Sequence, residues 1–156
     1  MSNYKFGRRS EKSLEGVHED LVAVVRLALQ YTTVDFAVIE GLRTTERQLK
    51  LVRSGASKTM DSRHITGHAV DLVPYIDGRI SWDWTPIYQV AEAMRQAATQ
   101  LGVTIVWGAA WHTYLTDAQC SARQLSNNYV DLRRSKGKTP FMDGPHFQLA
   151  RDHYPA

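Results

Sequence analysis

The chain has a single cysteine, Cys120, so no disulfide can form within it. That removes the disulfide-stapled class of small secreted domains and leaves a fold held by its core. No apolar stretch approaches the ~20 residues that span a bilayer, so stable membrane insertion is not expected. Met1 to Ser13 is polar and charged and lacks an apolar run of leader length, so no signal peptide is expected. Internal repeats and low-complexity tracts are also lacking. Charge of either sign is not in large excess: 19 Lys and Arg face 16 Asp and Glu, a net charge of +3. With no basic helix and no aromatic platform, nucleic acid is not an expected partner. The mild basicity suits an anionic surface such as a cell-wall polymer without selecting one.

What is present is the composition of a globular protein, 43% hydrophobic and 22% charged over 156 residues. That length supports one domain, residues 1–156, with a core that needs no staple. Leu14, Val17, Leu21, Val24, Val25 and Leu29 recur at helical spacing, which predicts a helix from Leu14 to Tyr31. Val34 to Glu40 is short and β-branched and predicts a buried strand. Thr45 and Gln48 have capping-box spacing, opening a helix to Arg53. A polar loop follows from Gly55 to Arg63. Ala69 to Ile76 predicts a strand, with Asp77-Gly78 as a hairpin turn into a short strand near Ile80. Thr85-Pro86 opens another helix, and Gly102 closes it. Val103 to Trp107 predicts a strand, Ala118 to Arg134 a helix that would include Cys120, and Pro145 to Leu149 a last strand. Strands clustered late with hairpin connections predict an α+β fold, a small and mainly antiparallel sheet with helices packed on it.

Six histidines are distributed along the chain. The informative segment is Ser62-Arg63-His64-Ile65-Thr66-Gly67-His68-Ala69-Val70-Asp71, which places a loop histidine seven residues before a strand aspartate. Asp143-Gly144-Pro145-His146 adds a second imidazole with a carboxylate three residues before it. Two imidazoles and a carboxylate, His64, Asp71 and His146, form a catalytic zinc set that leaves a position for water. The spare carboxylate, Asp143, is then free to handle protons. A competing set, His64 with His68 at helical spacing, is opposed by Gly67 and by the isoleucine that follows His64.

Ser62-x-His64-x-x-Gly67-x-Ala69-x-Asp71, with the late Asp143-x-x-His146, resembles the D-alanyl-D-alanine metallopeptidase family. That family includes the carboxypeptidases of vancomycin resistance and the L-alanyl-D-glutamate endopeptidases of phage lysins. Leu14-x-x-Val17-His18-x-x-Leu21, Gly41-x-Arg43-Thr44-x-x-x-Gln48 and Trp107-Gly108-Ala109-Ala110-Trp111 resemble further family segments, in family order. The resemblance implies a Zn²⁺ ion held by His64, Asp71 and His146, Asp143 as general base, and Arg43 on the scissile carbonyl or a substrate carboxylate. Gln48 and Ser62 match motif positions that bind substrate or brace the site. Ala109 and Ala110 depart from the family's Gly-Asp, and the segment at about 113–142 is longer than in the shortest members. That segment holds the basic run Arg133-Arg134-Ser135-Lys136-Gly137-Lys138, which suits a solvated loop or a contact with anionic wall. The implied activity is hydrolysis of the L-Ala–D-Glu bond of peptidoglycan stem peptides by a monomeric phage endolysin. Such an enzyme stays in the host cytoplasm until the membrane opens and then acts on the wall. The alternatives are a D-Ala-D-Ala carboxypeptidase or dipeptidase of the same fold, and a zinc-bearing wall-binding module without catalysis.

Overall fold

The computed structural model describes residues 1–155. In chain order it runs α1 (Arg8–Ser13), α2 (Glu19–Tyr31), β1 (Phe36–Glu40), α3 (Thr45–Arg53), β2 (Ala69–Ile76), β3 (Arg79–Ile80), α4 (Trp84–Leu101), β4 (Ile105–Trp107), a 3-10 turn (Leu115–Asp117), α5 (Ala122–Ser135) and β5 (His146–Leu149). The strands form one sheet in the order β1-β2-β5-β4, with β3 folded back on the end of β2. Every pairing is antiparallel, so the α+β class and the antiparallel sheet are as the sequence predicts.

α2 buries Leu21, Val24, Val25, Ala28 and Leu29, an apolar stripe at the 3.6-residue period. Glu19 and Asp20 in its first turn complement the helix dipole, and the His18 ring caps the Asp20 N–H at 3.0 Å. α4 packs against α2 and the sheet and buries Val90, Ala91, Met94, Ala97 and Ala98, the alanines allowing close approach. Trp107, Phe147, Leu21, Leu72, Met94 and Ile105 are among the largest fully buried side chains. Each such aliphatic side chain contributes roughly 1.5–3 kcal/mol by leaving water.

Three local expectations are corrected. The helix predicted over Leu14–Tyr31 begins only at Glu19; Leu14 to His18 form the turn that links α1 to α2, where Gly16 takes a left-handed φ of +80°. Leu14 and Val17 stay buried across the break, so the apolar period runs through a turn. The cap of α3 is Thr44, whose hydroxyl accepts from the Arg47 N–H at 3.1 Å. The late helix begins at Ala122, where Ser121 caps the Gln124 N–H. Cys120 therefore lies in the connection before α5, its carbonyl held by Arg95 at 2.6 Å. The segment at about 113–142 is integral to the fold, since Leu115, Ala122, Leu125 and Tyr129 are buried in the core.

Candidate metal centre

The sheet brings the distant segments together. On β2 and β5, Asp71 pairs directly with His146; on the other side of β2, Glu40 of β1 pairs with Asp71. Directly opposed residues of an antiparallel pair point to the same face. Cross-strand register therefore places the second imidazole beside the carboxylate. The register shift between Val38 and Glu40 turns the end of β1 toward Gly41 and Arg43.

His64 arrives from the loop before β2. Its main-chain carbonyl accepts N–H groups from Arg43 (2.9 Å) and Gly67 (3.2 Å). Gly67 has a φ of +76°, and a side chain there would lie 2.5 Å from the Gly16 carbonyl oxygen, so only glycine lets the loop pass the α1–α2 turn. His146 is presented by the Asp143-Gly144-Pro145 turn, closed by the His146 N–H to the Asp143 carbonyl at 3.0 Å. Gly108 lies under this turn. A Cβ there would sit 2.2 Å from the Asp143 carbonyl oxygen.

The donor atoms converge. His64 Nε2 lies 3.2 Å and His146 Nδ1 3.4 Å from Asp71 Oδ1, and the two rings are nearly perpendicular, centroids 5.0 Å apart. Three ligand atoms on a tetrahedral ion with bonds of 2.0–2.1 Å would be about 3.3 Å apart. The outer ring nitrogens are also committed. His64 Nδ1 lies 2.9 Å from the Gly41 carbonyl oxygen, and His146 Nε2 lies 2.8 Å from Gln148 Oε1. Both partners are acceptors, so each neutral ring carries its N–H outward and turns a lone pair toward Asp71. Lone pairs facing a carboxylate repel unless a cation lies between them. The donor set, its spacing and its outer acceptors all fit a divalent metal. His68 is not part of this cluster; its ring contacts Thr66 Oγ1 at 2.7 Å and lies 5.5 Å from the His18 ring.

Charges around the cluster are ordered. Burial pushes the Asp71 carboxyl up, but the His146 and His64 contacts overcome this and hold it well below the usual carboxylate range. Asp143 is held above that range by burial and by Asp71, against the pull of His146, His64 and Arg43. No side chain among the described residues hydrogen-bonds the Asp143 carboxylate, and it lines the same cleft as the cluster. Burial opposes a charge on His146, yet Asp71 raises its pKa overall. Arg43 is buried, with Nε 2.6 Å from Glu40 Oε1, Nη1 2.7 Å from Gln48 Oε1 and Nη2 3.7 Å from Asp71 Oδ2. Gln48 is fully buried behind Arg43 and also donates to Ser57 and Thr59. It braces the arginine and does not line the cleft. Ser62 does line it, and its hydroxyl accepts the His64 N–H at 3.3 Å.

The cleft encloses about 440 Å³ and is walled by Trp111 and Phe141, whose rings stack 6.2 Å apart; Trp111 also lies over His146. Gln148, Glu40 and the Trp111–Phe141 wall were not anticipated as parts of the site. Gln148 had a readable signal, since two residues along a strand return to the same face.

A model of the phage L-alanyl-D-glutamate peptidase family matches residues 1–150. The chain belongs to that family. It is therefore a peptidase by descent. It is 39% identical over 114 residues to the L-alanyl-D-glutamate peptidase of Escherichia phage T5, a match covering 70% of this chain and 83% of that one. The L-alanyl-D-glutamate peptidase of Listeria phage A118 is 26% identical over 118 residues, 74% of this chain and 41% of that longer protein. Among solved structures, the L-Ala D-Glu endopeptidase ChiX of Serratia marcescens is 42% identical, with a TM-score of 0.76, covering 99% of this peptidase and 96% of that chain.

Proposed function

We propose that this peptidase is a zinc-dependent endopeptidase that hydrolyses the L-Ala–D-Glu bond of peptidoglycan stem peptides and serves as a phage-type lysin. The observation that carries the metal reading is the pair of imidazoles whose inner nitrogens lie 3.2 and 3.4 Å from Asp71 Oδ1 while each outer nitrogen faces an acceptor oxygen. The choice of bond is supported by the named activity of the relatives, including ChiX, which spans nearly the whole chain. No described helix is long and apolar enough to cross a membrane. Action on the wall, after release from the host cytoplasm and as a monomer, belongs to this proposal.

His64, His146 and Asp71 would hold the ion. Held there, zinc would supply Lewis-acid chemistry, activating water near neutral pH and polarising a carbonyl. Asp143 Oδ accepts a proton from the attacking water and returns it to the leaving amine of D-Glu. Arg43 orients Asp71 and offsets negative charge developing beside the carbonyl carbon. Ser62 fixes the His64 main chain, and Trp111 with Phe141 shields one side of the reacting groups from water.

The test is digestion of purified peptidoglycan, with the new amino termini identified by mass spectrometry. Peptides beginning with D-Glu are expected. Free D-Ala as the sole product would support the carboxypeptidase alternative, and intact stems at full zinc loading would support a wall-binding module.

A further inference from the structure

Three guanidinium groups line the cleft: Arg43, Arg63 and Arg151. The nitrogens of Arg43 already face Glu40, Gln48 and Asp71. Arg151 is half exposed and pairs at 3.3 Å with Asp61, whose side chain is 83% exposed, so that pair exchanges readily with solvent or ligand. Arg63 is different. It is only 3% exposed, and no carboxylate lies within ion-pair distance of it among the described residues. Its Nη2 donates to the main-chain carbonyls of Leu149 (3.3 Å) and Tyr154 (2.6 Å). Among the described residues, its Nε is fully buried with no partner and Nη1 has no acceptor. Pinning two carbonyls needs donors but no charge. A buried cation is favourable only when an anion compensates it. Among the described residues, Arg63 thus carries a buried charge with no carboxylate in contact, at the wall of the cleft immediately before His64.

We propose that Arg63, with Arg151 beside it, is a carboxylate subsite that takes the free α-carboxylate of the D-Glu residue on the amine side of the scissile bond. This rests on the L-Ala–D-Glu reading above. In the stem peptide, D-Glu continues the chain through its γ-carboxyl group. Its α-carboxylate therefore stays free, on the carbon that bears the scissile nitrogen. A peptide bound for cleavage at the metal centre must lay that charge against the cleft wall near His64. Elsewhere around the centre it meets Glu40, Asp71 and Asp143, which repel it, and Arg43, whose nitrogens already face Glu40, Gln48 and Asp71. Arg63 offers its uncommitted Nη1 edge to one carboxylate oxygen, and Asp61 yields Arg151 to the incoming anion.

The experiment compares two synthetic stem peptides that differ only at this group, one with D-Glu and one with D-isoglutamine, cleaved by the zinc-loaded full chain. The wild type is expected to prefer the carboxylate peptide by about 10- to 100-fold in kcat/KM, the scale of a charge-assisted hydrogen bond. In Arg63→Gln the ratio falls toward one, and in Arg63→Lys part of it returns. A purely structural role for Arg63 would lower both rates and leave their ratio intact. Arg151→Gln, at the surface, tests the same charge without disturbing the buried brace and should cut the ratio about threefold or more. Equal cleavage of both peptides by the wild type, or a preference that survives both glutamine substitutions, overturns the subsite while leaving the scissile bond established. Cleavage of neither peptide overturns the subsite together with the function it rests on.

Discussion

Replacing Gln148 with leucine should weaken zinc binding without unfolding the protein, and the reason lies in which state loses a hydrogen bond. In the native cluster, His146 Nε2–H donates to Gln148 Oε1 at 2.8 Å, with both residues less than 9% exposed. Leucine has similar bulk and no acceptor. Without metal, the His146 ring in Gln148→Leu can change tautomer and place its proton on Nδ1, 3.4 Å from Asp71 Oδ1, so no donor is stranded. With metal, Nδ1 must offer its lone pair, and the buried Nε2–H is left with no partner. An unsatisfied buried donor costs about 1–3 kcal/mol, and that cost falls on the loaded state alone. At 1.4 kcal/mol per tenfold, the zinc Kd should rise about 10- to 100-fold, the usual scale for losing an outer partner of a ligating histidine. Competition with a fluorescent chelator measures the Kd, and a thermal melt of the metal-free variant measures the fold. A Kd within threefold of wild type would refute the tautomer argument. A large drop in the metal-free Tm would show that Gln148 acts on the fold instead.

Asp143→Asn should keep fold and zinc but lower kcat by about 10²–10⁴-fold on a stem peptide, the scale of a lost general base; near-normal turnover with zinc retained would remove Asp143 from that role. Burial holds the His112 ring below the ordinary histidine range, so the unfolded chain binds this proton more readily than the native one. Stability from this ring is complete above its ordinary pKa of about 6.5 and is lost as pH falls through its lowered native value. His112→Phe keeps the stack on Tyr129 but cannot titrate. Its Tm should therefore decline less steeply than wild type between pH 7.5 and 5.5, and an identical slope would contradict this.

Much of the architecture was legible from local pattern. β2 was predicted with its observed bounds, because an apolar run ending in Asp77-Gly78 leaves little choice of element or turn. α4 was recognisable from Pro86 at its start and Gly102, with a φ of +70°, at its end. The break at Gly16 was hidden because Leu14 and Val17 keep facing the core through the turn. Cys120 seemed helical because the 3-10 turn and α5 share a composition that only the Ser121 cap divides. At the site, donor types and local spacing suggested the ligand set. The decisive contact, Asp71 opposite His146, depends on β2–β5 register, which no local window contains. The family resemblance supplied that link. Arg43 and Gln48 were singled out from the same motif, yet burial decides their division of labour: Gln48 stands behind Arg43, and the guanidinium faces the cleft. Arg63 gave no signal, since an arginine between a serine and a histidine is ordinary until its burial without a carboxylate is seen.

The central claim is that His64, Asp71 and His146 alone hold the catalytic ion, and zinc content per chain tests it most directly. Elemental analysis of the wild type and four alanine variants suffices, with circular dichroism to verify the fold of each. The account predicts one zinc per chain in the wild type and in His68→Ala, and sharply reduced zinc in His64→Ala, Asp71→Ala and His146→Ala, because a three-ligand site has no spare. Full zinc in a folded His146→Ala variant, or an empty site in His68→Ala, would contradict it.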